Sequence, residues 1–320
     1  MRKASGQFGF ADSWLGNNQQ LNRRLDKIQQ LLDWRPFEEL LGKVYASPSG
    51  RPSHSVLLLF KALLLQTWYA LSDYALEEAL DDRLSFRRFV SLSVSERAPD
   101  HSVFSRFRDQ LIEHGIHERL FQELNRQLDE RGFMVKQGTL VDATVIEAAP
   151  KKPKKNEDGS AGKSEQDPDA DWTKKGGKYY FGYKAHVGID QRSELVRKIA
   201  MTPAHVHDGN MLKSVLSGDE EWALADKAYD SKKNHKILEA NGINNGILIK
   251  GTRKRALTPV EKQCNRILSR LRSPVERVFG TLKRSYRYCR AKYLGLRKNR
   301  LQLALTCIAY NLRRMEKLCA

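Results

Sequence analysis

GTLVDATVIEAA, Gly138 to Ala149, is the stretch on which the fold turns. It is rich in β-branched residues and bounded by glycine and proline, so it reads as a strand. Asp142 stands inside it, between Leu140-Val141 and Ala143. An ionised carboxylate in such surroundings costs several kcal/mol unless a cap, a cationic partner or a metal compensates.

Working outward from that strand, the downstream sequence alternates. KKPKKNEDGSAGKSEQDPDADWTKKGG, Lys151 to Gly177, is polar and rich in Gly and Pro, and predicts a mobile basic loop over 150–177. Strands resume with KYYFGYKAHVGID and SELVRKIAMTPA. NMLKSVLSG reads as a helix, EWALADKAYDS as a short buried strand, KKNHKILEANG as a helix closed by Gly242, and GILIKG as one more strand. Thr258-Pro259 opens a helix, and Ser273-Pro274 restarts it because proline breaks the hydrogen-bond ladder. With Ser273 as cap, Glu276 falls in the first turn of VERVFGTLKRSYR. This order predicts an α/β domain over 136–320, with a mixed central sheet flanked by helices.

Upstream, residues 1–135 read as mainly helical. Leu21, Ile28, Leu31 and Leu32 recur at helical spacing. SVLLLFKALLLQTWYALS, Ser55 to Ser72, is the most apolar segment. Lys61 and Gln66 interrupt it, and it falls short of the ~20 clean apolar residues that a membrane span needs. It predicts a buried helix. Ser72 and Asp73 cap the next helix, and Pro99-Asp100 starts HSVFSRFRDQLIEHG, which Gly115 ends. In that helix Phe104, Phe107 and Leu111 form the apolar stripe, and Arg106, Arg108 and Asp109 point elsewhere. Short helices with outward arginines are compatible both with a helix-turn-helix-like DNA reader and with an ordinary bundle.

Charge narrows the function. Lys and Arg number 56 against 38 Asp and Glu in 320 residues, a formal +18. That excess suits a polyanion, with nucleic acid first and an anionic membrane second. The four cysteines form no CxxC pair, so neither a zinc site nor a disulfide framework is expected. The opening MRKASGQFGFADSW lacks the apolar stretch of a signal peptide. The expected location is the cytoplasm, with no membrane partner.

Three acids share one predicament. Asp142 lies in an apolar strand, Asp226 ends the apolar run Trp222-Ala223-Leu224-Ala225, and Glu276 starts a helix between Val275 and Val278. Oxygen-only ligands select Mg²⁺ or Mn²⁺ over zinc. Two such ions about 3.5–4 Å apart serve phosphoryl displacement. In that scheme Asp142 bridges both ions, and Asp226 and Glu276 each hold one.

VDATVIEA around Asp142, ALADKAYDS around Asp226 and RSPVERVFGTLKR around Glu276 resemble the three signatures of DDE transposases of the insertion-sequence family numbered five. FADSWL, WYALSDYALEEAL, FGYKAHVGID and AHVHD extend the resemblance over nearly the whole chain. It implies a ribonuclease-H-like core and a bacterial, nucleoid-associated enzyme. It implies DNA as partner, both terminal inverted repeats and target, and a dimer or higher oligomer as the working assembly. The group's glutamate signature has Arg four before the acid and Lys seven after, matched here by Arg272 and Lys283. A Tyr often stands seven before the acid, where this chain has Ser269.

Lys283 lies two helical turns beyond Glu276, so a continuous helix puts both on one side and Lys283 against a phosphate. Arg272 pairs either with a carboxylate or with DNA. His205 and His207 stand two apart with no third histidine nearby, so with Asp208 they read as supports of the core rather than as a metal site. KRSYRYCRAKYLGLRKNR, Lys283 to Arg300, interleaves Arg284, Arg287 and Arg290 with Tyr286, Tyr288 and Tyr293, a pattern for phosphate contact and base stacking. Trp172, Lys174 and Lys175 on the expected loop, and Arg106 in the helical region, complete the DNA-contact candidates. The expected chemistry is hydrolysis of a phosphodiester at the element's end, followed by attack of the freed 3′-hydroxyl on target DNA. A nuclease of the same fold, and a DNA-binding protein of that fold without catalysis, are the alternatives.

Overall fold

The computed structural model describes residues 23–44, 54–154, 162–252 and 255–319. Leu21, the FADSWL stretch and residues 155–161 of the expected loop lie outside them. The chain divides into two compact units, Met1–Gln127 with Ala304–Ala320, and Leu128–Leu303. The C-terminal residues 304–320 thus group with the helical part rather than with the rest of the expected 136–320 domain.

The helical unit contains α1 (Arg23–Leu31), α2 (Arg35–Leu41), α3 (Val56–Trp68), α4 (Asp73–Asp82), α5 (Leu84–Val90), α6 (His101–Glu113) and most of α7 (Ile116–Glu130). Its starts follow the local chemistry. The side chains of Ser55, Ser72 and Asp100 each accept a backbone N–H of the first turn that follows, satisfying donors that a helix end leaves open. α3 is buried nearly all round. Lys61 goes in with it at 2% exposure, its Nζ donating to Gln29 Oε1 at 2.8 Å and lying 4.4 Å from the Trp34 ring centre. Among the described residues no single helix is long and apolar enough to cross a membrane. On α6 the arginines divide. Arg106 is exposed as expected. Arg108 turns inward instead, 6% exposed, and its two terminal nitrogens grip the Asp73 carboxylate at 2.8 and 2.5 Å. A bidentate carboxylate partner is what allows a guanidinium to be buried.

The second unit is built on a six-stranded sheet: β1 (Gly138–Glu147), β2 (Asp171–Lys175), β3 (Lys178–Asp190), β4 (Val196–Pro203), β5 (Trp222–Ala225) and β6 (Asn244–Ile247). Its order is β2-β3-β1-β5-β6, with β4 also on β3. β1 to β4 form antiparallel pairs, whereas β5 and β6 join parallel to β1. This is the mixed α/β sheet with flanking helices expected of a ribonuclease-H-like core. The crossovers are short: a 3-10 turn at Asp208–Met211 leading into α8 (Leu212–Val215), then α9 (Lys232–Ala240). Val141, Leu212, Val215, Ala223, Ala225, Tyr229 and Leu238 fill the core beneath the parallel half.

Three local expectations change. The end of the expected loop is not loop: Asp171–Lys175 pairs with β3 through a two-residue turn at Gly176-Gly177. Both glycines have positive φ, +57° and +79°, the mirror-image geometry that hairpin turns need and that glycine adopts without penalty. β6 begins at Asn244, earlier than GILIKG suggests, because its register follows β5, with Trp222 opposite Asn244. Finally, α10 (Pro259–Arg272) opens with a capping box between Thr258 and Glu261, but Ser273 is no cap. Its backbone is right-handed helical and its side chain makes no capping bond, so α11 (Pro274–Gly280) follows on almost directly.

Candidate active site

Strand register brings the two aspartates together. Val141 pairs with Ala225 in the parallel β1–β5 ladder, so Asp142 and Asp226 are the next residues on the two strands. Asp226 directly follows the last residue of β5, and Asp142 lies midway along β1, at the point where its parallel pairing with β5 ends. Strand alternation turns Asp142 to the face opposite Val141 and its apolar cluster. The amide of Ala143 donates to Asp142 Oδ1 at 2.7 Å, and the amide of Lys227 donates to Asp226 Oδ1 at 2.7 Å.

One guanidinium ties them. Arg272 Nη2 lies 3.3 Å from Asp142 Oδ2 and Arg272 Nη1 lies 3.9 Å from Asp226 Oδ1. The arginine is the last residue of α10, and α10 is anchored by its single buried residue, Asn265. That amide closes a two-way bond with Ile249, accepting from its N–H at 2.9 Å and donating to its carbonyl at 3.0 Å. Arg272 is seven residues on, the same helix face two turns later. Of the two options left by the sequence, carboxylate or DNA, the carboxylates hold it here.

Electrostatics follow from burial. Burial pushes the Asp142 carboxyl above its usual range; Arg272, the Ala143 amide and Lys175 pull it back, and the charge of Asp226 adds to the rise. Tyr229 is 1% exposed, and its hydroxyl has no hydrogen-bond partner among the described residues. Its acidity is suppressed first by burial, then by the nearby charges of Asp142 and Asp208. The sequence reading passed over this tyrosine, although its place three residues after Asp226 was visible.

Glu276 does not join the pair. It is exposed, in the first turn of α11, and its carboxylate has no ion-pair or hydrogen-bond partner among the described residues. Its neighbour Arg277 pins α11 to Glu194, in the turn between β3 and β4. The donor set at Asp142 and Asp226 is oxygen-only, which suits Mg²⁺ or Mn²⁺, and among the described residues Arg272 is the one cation in ion-pair contact with the two carboxylates. The pair therefore fits a divalent ion. Among the described residues, however, no group of three or more His, Cys, Asp or Glu is drawn close enough to hold a metal.

The supporting residues sort unevenly. α11 ends at Gly280 and a wider π turn, Thr281–Ser285, follows, so the two-turn argument for Lys283 fails because the helical period changes. Lys283 instead donates from Nζ to the carbonyl of Val145, three residues beyond Asp142 on β1, at 3.1 Å. Burial, and next the charge of Lys175, lower its pKa. Lys175 thus acts electrostatically on both Asp142 and Lys283, while Lys174 lies over the Tyr179 ring at 5.2 Å. Trp172 is tucked in: its indole donates to the Gly162 carbonyl at 2.9 Å and packs on Phe181.

Past the π turn the chain leaves the helix, and Tyr286 and Tyr288 are buried at 7% and 1%, which removes them as stacking platforms. Arg290 is spent on structure, donating to the carbonyls of Ala148 at 3.0 Å and Ala149 at 2.7 Å just beyond β1. Arg284 and Arg287 are exposed. His205 pairs with Asp171 at 2.8 Å, His207 Nδ1 accepts from the Gly209 amide, and Asp208 pairs with Lys184 at 2.9 Å. Each of the three thus has a partner within the α/β unit.

The sequence has counterparts among known families. Residues 134–312 match the family model described as the transposase DDE domain, and residues 14–110 match a transposase domain (DUF772). No solved structure matches the chain.

Proposed function

The chain belongs to the transposase DDE domain family, whose model covers more than half of it, and on that premise we propose that it is the transposase of an insertion sequence of the family numbered five. It binds the element's terminal inverted repeats, hydrolyses a phosphodiester there, and joins the freed 3′-hydroxyl to target DNA. The observation that carries this reading is the meeting of Asp142 and Asp226 where the parallel pairing of β1 with β5 ends.

In this reading Asp142 and Asp226 hold the divalent ions, with Glu276 as the third carboxylate. Bound there, a pair of Mg²⁺ or Mn²⁺ ions activates the attacking oxygen and stabilises charge on the leaving one. The chain's own residues supply the rest. The half-buried setting of Asp142 limits how far water weakens its field. Lys283, on the β1 side of the site, meets a backbone phosphate. Lys174, Lys175, Arg284 and Arg287, exposed on the α/β unit, neutralise DNA, and the helical unit with Arg106 binds the element's end and a second copy of the chain. The protein works on DNA in the bacterial cytoplasm, at the nucleoid.

One observation favours a second reading, a DNA-binding protein of this fold that does not cut: the exposed, unpartnered Glu276. Incubating the protein with terminal-repeat DNA, a target plasmid and Mg²⁺ separates the possibilities. Joined product supports the transposase; nicking without joining supports a nuclease; retention of the ends without either supports binding alone.

A further inference from the structure

We propose that Arg272 is the resident counter-cation of the Asp142–Asp226 pair and competes with a divalent ion for it, so that the site fills only when the guanidinium withdraws. This rests on the reading of the two aspartates as ion ligands. Two negative groups lie within 3.3 and 3.9 Å of one guanidinium whose side chain is only 11% exposed. Its bonding differs from that of Arg87 and Arg290. Arg87 donates to the carbonyls of Leu80, Ser93 and Glu96, and Arg290 to those of Ala148 and Ala149. Carbonyl contacts of that kind fix a guanidinium in place. Arg272 has none among the described residues, and its Nε is buried without a partner. Only the two carboxylates hold it.

Exchange is electrostatically feasible, because Asp142 is partly withdrawn from water and the guanidinium and the ion satisfy the same charges. The Tyr229 hydroxyl, buried and unpartnered beside the pair, is a polar atom free to bond when the carboxylates rearrange. The exit is also built in. Arg272 stands immediately before Ser273-Pro274, where proline has no N–H to give and the ladder between α10 and α11 is cut. Glu276 is one turn beyond. Movement of that turn shifts the arginine and the glutamate together, so release of Arg272 and arrival of the third carboxylate are one event.

The test is Mn²⁺ binding to the full-length protein without DNA, read by titration calorimetry and by the Mn²⁺ electron paramagnetic resonance signal. Arg272→Gln is expected to bind Mn²⁺ about tenfold tighter than the parent chain, within the usual range of coupling between sites. Arg272→Lys, which keeps the charge but not the fork, should fall between them and serves if the glutamine variant does not fold. Unchanged or weaker binding by folded Arg272→Gln or Arg272→Lys overturns the proposal, as does absence of Mn²⁺ binding in all three proteins. Adding Asp142→Asn should erase the gain. If the double variant binds as tightly as Arg272→Gln, the ion sits elsewhere, and it is the assignment of the acid pair that falls.

Discussion

Val141 and Ala225 face each other in the parallel ladder between β1 and β5, and that one pairing sets Asp142 beside Asp226. Both apolar residues are fully buried in one core cluster. Register and core packing are therefore the same constraint: a slip by one residue turns Asp142 into the core and Val141 out of it.

Ala225→Leu tests this. Extra methylenes in a filled core cost about 1–3 kcal/mol. The variant should lose that much stability in urea unfolding, and the strain should spread to the adjacent aspartate and lower cleavage. Unaltered stability would mean that the ladder tolerates a shift.

Asp142→Asn should abolish cutting while leaving binding of the DNA ends, and should raise the melting temperature. The sign follows from burial. A carboxyl whose folded pKa is raised is most favourable to folding when protonated, and that advantage is lost as pH rises through the folded value. At pH 7 the ionised group opposes folding, and the neutral amide does not. Retained cleavage would remove Asp142 from the chemistry; a lowered melting temperature would show that Arg272 outweighs the cost of burial.

Arg290 and Arg284 should behave differently although both are exposed basic residues of the same segment. Arg290→Ala removes charged donors from two carbonyls and should destabilise the protein by roughly 1–3 kcal/mol. Arg284→Ala should leave stability within about 0.5 kcal/mol and reduce the salt dependence of DNA binding by about one unit of slope. Melting curves and a binding series in NaCl decide between these outcomes.

Lys61 gives the helical unit a pH signature. Burial lowers its pKa from 10.5 to about 8, with the charge of Glu38 opposing. The unfolded chain thus holds the proton to higher pH than the folded one, and stability should rise between about pH 8 and 10.5, by roughly 3 kcal/mol at most. Lys61→Met should flatten that rise. A parent protein whose stability is level across this window would contradict the burial of a titrating amine.

Much of the architecture was legible because it is written locally. β-branched runs, the cap at Ser72, the start at Asp100 and the Thr258-Pro259 start each depend on a few adjacent residues. The edge strand at Asp171 was missed because its polar residues pattern as loop, and only the partner β3 gives them a ladder. The inward turn of Arg108 was missed because Asp73, far along the chain, supplies its partner.

The sequence by itself determined the element order apart from the edge strand β2, the +18 charge and the three acids set in apolar surroundings, since each is a matter of composition and short-range pattern. Tertiary structure decided which acids meet. The β1–β5 register joined Asp142 to Asp226, packing of α10 through Asn265 delivered Arg272 between them, and the π turn redirected Lys283 to Val145. Those outcomes depend on contacts between residues tens of positions apart, whose geometry is fixed only when the sheet and its helices share one core.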